Sequence, residues 1–221
     1  MDVIQTECRR CGTCCDKGGP ALHGGDLSLI RNGAIPLEKL ITIRQGELVN
    51  HPLTGDLQSV GYEVIKIAGK GRNWQCVYYA NQEGCAIYDH RPSACRALKC
   101  WDTEEISQLV GKNTLSRLDI LTESNPLRPL VMEYEQLCPC PDMEVIMRSL
   151  ADRSLRDLSS LQDLVDRDLA FRDRVVREKG LSLALELFLF GRPVFQLLKD
   201  VGIGIQQVAG GIRLTTVMRN E

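Results

Sequence analysis

Cys8-Arg9-Arg10-Cys11-Gly12-Thr13-Cys14-Cys15 places four thiols within eight residues. Two-residue gaps let successive thiolates turn inward on one tight loop. Gly12 removes the Cβ penalty where such a loop needs unusual backbone angles. Three thiolates in this register can hold three corners of an iron–sulfur cubane. The first two alone would make half of a zinc site. Adjacent residues do not easily aim at one point, so Cys15 is expected to serve a second metal or the far side of the same cluster.

A second group follows at Cys76, Cys85, Cys95 and Cys100. Eight thiolates suit two four-ligand sites, or one cubane with a further site. Zinc sites often use two separated knuckles with two-residue gaps. Here the first group is denser than that and the second has no such gap. The pattern therefore points to an iron–sulfur cluster ahead of zinc, although soft thiolates accept both. Two incomplete ligand sets are expected to converge in space. Arg9, Arg10, Lys17, Arg91 and Arg96 lie near the ligands, where they either offset thiolate charge or serve as surface cations.

The chain has 221 residues and ten cysteines, with a formal net charge of −2. That length buries a real core without disulfides, and ten thiols in a chain of this size favour metal over a disulfide framework. Some can still be small buried hydrophobes. The near-neutral charge gives no pull toward nucleic acid or anionic membrane. Met1-Asp2-Val3-Ile4-Gln5 has no basic segment followed by an apolar run, so no secretory leader is expected and a cytoplasmic location is. The apolar stretch from Leu181 to Phe190 is too short for a membrane span and reads as a buried helix.

The elements that must hold these thiols read as a mixed α+β chain. Asp26 is expected to cap a short helix that ends at Gly33. Tyr62 to Ile67 reads as a strand. Trp74 to Tyr79 and Cys85 to Tyr88 flank Asn81-Gln82-Glu83-Gly84 as a hairpin, with Cys76 and Cys85 facing each other across it. Pro92 opens a helix carrying Cys95, and Thr103 starts another. Residues 1–102 are read as a small irregular cysteine-rich metal-binding domain with a β-hairpin and short helices. Residues 103–140 form a helical connector with a Pro-rich end. Residues 141–221 form a mainly helical region, ending in a β-hairpin around Gly210-Gly211. In that region Asp152, Asp163 and Asp168 each precede an arginine by four residues, which reads as a solvated, self-paired helix face rather than a nucleic-acid surface.

Three weaker signals remain. His23, in a Gly-rich loop, and His90 are within reach of the cluster in sequence; His51 is less so. Cys138-Pro139-Cys140 is an auxiliary ligand pair, a redox pair or packing. No phosphate loop, dinucleotide fingerprint or local hydrolase signature occurs, so no catalysis is assigned.

The run from Cys8 to Cys15 resembles the signature of the CxxCxxCC zinc- or iron-chelating family, the YkgJ-like cysteine-cluster proteins. The resemblance extends to Cys76, then Gly84-Cys85-Ala86-Ile87-Tyr88, then Arg91-Pro92-Ser93-Ala94-Cys95-Arg96, then Cys100-Trp101. It covers about the first hundred residues and implies a metal-chelating role with no set reaction. It also implies that Tyr88, Arg91 and Pro92 shape the turn presenting Cys85 and Cys95, and that Arg91 donates to thiolate sulfur. The expected function is a protein holding an iron–sulfur cluster or zinc, for electron transfer, metal sensing or metal handling. The alternatives are an enzyme using the centre for redox chemistry or protein modification, and a structural zinc module supporting a protein-interaction surface on the C-terminal helices.

Overall fold

The computed structural model describes residues 5–80 and 83–215. The leader reading over residues 1–4 and the Asn81-Gln82 part of the turn lie outside the described residues. The N-terminal half carries helix α1 (Leu27–Arg31), then strands β1 (Leu40–Ile43), β2 (Leu48–Asn50), β3 (Leu57–Ser59) and β4 (Val64–Ile67). Short strands β5 (Gly69–Lys70), β6 (Gln75–Cys76), β7 (Tyr79–Ala80) and β8 (Gly84–Cys85) follow. Helices α2 (Ser93–Ala97), α3 (Glu104–Leu109), α4 (Arg117–Ile120) and α5 (Arg128–Leu137) lead into α6 (Met143–Ala151) and the long α7 (Ser159–Lys179). Helices α8 (Leu183–Phe190) and α9 (Val194–Asp200) precede the closing hairpin of β9 (Gly204–Val208) and β10 (Gly211–Thr215). Among the described residues every sheet is an antiparallel pair: β1 with β4, β2 with β3, β5 with β6, β7 with β8, and β9 with β10. The architecture is α+β, as the sequence implies.

One apolar core joins the two halves. β1 packs on α8, and Leu40, Ile65, Ile67, Phe188 and Phe190 are all buried in it. Gly191 permits the approach: its φ is +67°, and a Cβ there would stand 2.9 Å from the Thr42 carbonyl. Thr42 in turn donates its hydroxyl to the Phe188 carbonyl. In α7 the buried positions Leu164, Val165, Asp168, Phe171, Arg172 and Val175 fall on one helical stripe. Tyr134 of α5 meets Phe171 and Phe190 at ring centroid distances of 5.3 and 4.8 Å, a geometry that favours aromatic contact. No helix among the described residues is long and apolar enough to cross a membrane.

The seam between the halves is also ionic. Arg117 donates to Glu63 at 2.9 Å, to Glu135 at 2.7 Å and to the Leu189 carbonyl at 2.6 Å. Arg44 donates to Glu135 at 2.9 and 2.7 Å and to the Cys138 carbonyl at 2.5 Å. Both arginines are almost fully buried, so each needs these acceptors to offset its desolvation.

Three local expectations are corrected. Asp168 and Arg172 do form their i,i+4 pair, at 2.7 Å, but in the core. Arg172 also reaches Tyr134 and the carbonyls of Phe190 and Gly191, partners that a periodicity argument cannot see. Asp26 stands at the N-cap position of α1 but its side chain makes no cap bond there; its carboxylate instead accepts from His23 N–H at 3.0 Å and from Ser93 N–H and Oγ at 2.7 Å each. Finally, Cys85 lies opposite Tyr79, whereas Cys76 pairs with Gly69. The chain turns twice between Cys76 and Cys85, so the two do not face each other across one ladder.

Candidate metal centre

The cysteine loop is seated on the β7–β8 hairpin by its small and its cationic residues. Gly12 has φ +83°, and a Cβ there would lie 2.1 Å from Cζ of Tyr79. The glycine is therefore needed for both backbone angle and space. Tyr79 donates its hydroxyl to the Cys11 carbonyl at 3.3 Å. Arg10, at φ +54°, lays its guanidinium 3.8 Å from the centroid of the Tyr88 ring, and Arg91 covers the same ring at 3.6 Å. Two cations on one ring hold the loop against the Gly84–Tyr88 segment. Beyond the loop, Asp16 N–H donates to the Gly12 carbonyl at 2.9 Å and Gln75 donates to the Asp16 carboxylate at 2.5 Å. That last bond ties the residue after Cys15 to the residue before Cys76.

This seating predicts an effect for Gly12→Ala. A left-handed alanine costs roughly 1–2 kcal/mol, and the Tyr79 ring must also move. Amide exchange across residues 8–17 is expected to accelerate by about tenfold, each 1.4 kcal/mol being a factor of ten. Unchanged hydrogen–deuterium exchange would show that the loop does not depend on this contact.

The remote thiols are held by separate devices. Cys76 sits buried on β6. Cys95 rides on α2, whose N-terminal residue Ser93 is fixed by the Asp26 carboxylate from 67 residues away. Ala94 and Ala97 bury the opposite side of that helix. Arg91 donates to the Tyr88 carbonyl at 2.8 Å and so closes the turn before Pro92.

Cys14, Cys15, Cys76, Cys85 and Cys95 lie near enough to act on one another electrostatically. Cys14 and Cys15 have sulfurs 4.0 Å apart, near the edge of about 3.8 Å that a thiolate tetrahedron at 2.3 Å from zinc would have. Adjacent residues aim closer together here than their positions suggest, because Cys14 is αR and Cys15 opens a 3-10 turn. Burial, then the neighbouring Cys14, Cys76 and Cys85, push the Cys15 thiol well above the usual range. Burial raises Cys76, opposed by the backbone N–H of Tyr78 and reinforced by Cys85 and Cys14. Burial, followed by Cys76, Cys14 and Cys85, pushes Cys95 up to about 12, against the charge of Arg91. Those influences put the five sulfurs within electrostatic range of one another.

Cys8, Cys11 and Cys100 are exposed, as is Cys14. Cys8 accepts from the Arg10 N–H at 3.4 Å. Hydrogen bonds from Thr13 lower the Cys11 thiol. Cys100 accepts from Gln5 Nε2 at 3.5 Å. Among the described residues no three His, Cys, Asp or Glu side chains stand close enough to hold an ion as they are. His23 is committed elsewhere, with Nδ1 2.9 Å from the Lys112 carbonyl.

Cys138 is buried in the core, and Cys140 lies beside Gly46; burial pushes their thiols to about 11 and about 12. Cys140 lines a cavity of about 570 Å³ with Arg44, Arg117, Glu63 and Glu135, whose charges already pair with one another. A second cavity, about 540 Å³, is lined by Asp16, Lys70, Gly71, Arg72, Asn73 and Gln75, directly beside Cys15 and Cys76 in sequence.

Sequence reasoning missed Tyr78 and Tyr79. The signal for Tyr79 is Gly12, since a glycine in a ligand loop implies that something approaches it. Tyr78 has no such pointer. It lies between β6, which carries Cys76, and β7, which pairs with the strand carrying Cys85, and burial, then those two thiols, raise its ionisation.

No curated protein matches the chain, and no solved structure matches it. Residues 7–112 match the family model CxxCxxCC, described as a "putative zinc- or iron-chelating domain". That segment contains the loop, both short hairpins and the helix bearing Cys95. Over residues 7–112, just under half of its length, the chain carries the CxxCxxCC domain, a zinc- or iron-chelating domain by that description.

Proposed function

We propose that the protein binds metal through one centre built on Cys14, Cys15, Cys76, Cys85 and Cys95. Cys8, Cys11 and Cys100 close over it from the rim. The support for this reading is the 4.0 Å separation of the Cys14 and Cys15 sulfurs, with three remote thiols inside their electrostatic range. The donors suit the group: all are soft thiolates, cations stand nearby to offset their charge, and the loop has seated backbone. The sulfur-rich set and the density of the first motif favour an iron–sulfur cluster, with zinc as the alternative. An iron–sulfur cluster in this position would supply one-electron chemistry, and zinc would supply cross-linking of the two segments. Anaerobic purification with metal analysis and a visible spectrum tests the choice. Iron, acid-labile sulfide and brown colour are expected; stoichiometric zinc in a colourless protein would overturn the preference.

A second reading, an enzyme acting at this centre, is favoured by the cavity lined by Asp16 and Gln75, the sequence neighbours of Cys15 and Cys76, which offers Arg72 to an acidic group. The closed structural-zinc reading leaves that cavity without a role.

The raised thiols set the pH dependence. Cys15, Cys76 and Cys95 carry protons at neutral pH in the metal-free protein, because their ionisation is pushed upward. Coordination must displace those protons, so affinity rises with pH and falls in acid. Chelator competition is expected to give up to about one decade in affinity per pH unit for each coordinating thiol between pH 6 and 8. A flat profile would exclude protonated thiols as the ligands.

A further inference from the structure

Among the described residues one buried side-chain polar atom lacks a hydrogen-bond partner, the hydroxyl of Tyr78. Its residue lies between β6 and β7, and its carbonyl accepts from Ala86 N–H at 2.8 Å. Tyr78 is thereby tied between the strand carrying Cys76 and the strand carrying Cys85. The neighbouring Tyr79 makes the contrast, since its hydroxyl has the Cys11 carbonyl.

A phenol buried without a partner is costly, because the group has given up water and gained nothing. Phenylalanine would fill the same volume without that cost. The hydroxyl is useful once an acceptor appears beside it. A cysteine thiol is a weak acceptor, whereas a metal-bound thiolate carries charge and free lone pairs. A hydrogen bond from O–H to an anion is shorter and about twice as strong as one between neutral groups.

We propose that Tyr78 is a positioning residue that donates its hydroxyl to the sulfur of Cys76 or Cys85 when these are metal-bound thiolates. The proposal rests on the metal-binding reading above. It gives the orphaned donor a partner in the loaded state only. Such outer contacts fix a ligand's orientation and tune the metal's affinity and potential. Hydrogen bonds to sulfur are among the factors that set iron–sulfur potentials.

Tyr78→Phe in the full chain tests it, with the wild-type protein measured in parallel. The ring is kept, so the fold is not at risk. Two shifts of opposite sign are expected. The metal-free variant should melt at the same temperature as the wild type or higher, because an unpaired buried donor has been removed. Its zinc affinity, read by chelator competition, should fall by about tenfold. The anaerobically reconstituted iron–sulfur form should show a reduction potential below that of the wild type. Equal zinc affinity in the two proteins would overturn the proposal. So would a metal-free variant less stable than the wild type, because the hydroxyl would then have a partner within the protein. A wild-type chain that takes up neither zinc nor iron would instead overturn the metal-binding reading, and the proposal with it. Only the wild-type measurement reports that failure.

Discussion

Serine in place of Cys14, Cys76 or Cys95 is expected to strip metal from the protein. Thiolate zinc sites carry roughly 10–16 kcal/mol across four ligands, so one ligand is worth on the order of 3 kcal/mol. Affinity should therefore drop by more than about a hundredfold, each 1.4 kcal/mol being a factor of ten. A neutral hydroxyl cannot recover this, because it is neither soft nor charged. Cys8, Cys11 and Cys100 lie outside the proposed five-thiol group, and their serine variants should lose less. Cys138→Ser and Cys140→Ser should retain full metal, since Cys138 is packed in the core and Cys140 lies against Gly46. Metal analysis of the purified variants ranks all of them. Equal losses at Cys138 and Cys14 would remove the basis for the ligand set.

The second large effect lies in the core. Asp168 accepts from Tyr134 Oη, Arg172 Nε and Val194 N–H, each at 2.7 Å. It thus neutralises a buried arginine and satisfies a free N–H at the start of α9. Asp168→Ala leaves three donors without their acceptor and one guanidinium without its counter-ion. Breaking a buried pair in this way costs about 3–5 kcal/mol, or roughly 10 °C in melting temperature for a chain of this size. Asp168→Asn, which keeps the shape and one acceptor oxygen, should lose less. A shift of only about 1–2 °C in the alanine variant, read by thermal unfolding, would show that water or a neighbouring carboxylate replaces Asp168.

The cysteine motif of the family model's segment is legible because its chemistry is local. CxxCxxCC names its own loop, Gly12 marks an unusual backbone angle, and Pro92 opens the helix that carries Cys95. The closing hairpin at Gly210-Gly211 and the buried helix ending at Phe190 were legible for the same reason. What the sequence hid depends on partners distant along the chain. Asp26 looks like the cap of the helix that follows it, yet it fixes Ser93. Asp168 and Arg172 look like a surface pair, yet they are enclosed by Tyr134 and Phe190. The separation of Cys76 from Cys85 on different ladders arises because Gly69, not Cys85, pairs with Cys76. Periodicity describes a residue's own element and does not say what covers it. The proposed boundary near residue 140 reflects a change in composition, while the buried core runs across it from Leu40 to Phe190.

The idea that loop and remote cysteines share one metal is tested most directly by differential thiol alkylation, read residue by residue by mass spectrometry on loaded and chelator-treated protein. Joint protection by metal of Cys14, Cys15, Cys76, Cys85 and Cys95 is the expected result, with Cys138 and Cys140 reacting alike in both samples. Protection confined to the Cys8–Cys15 loop, or to the remote cysteines alone, would contradict a shared centre.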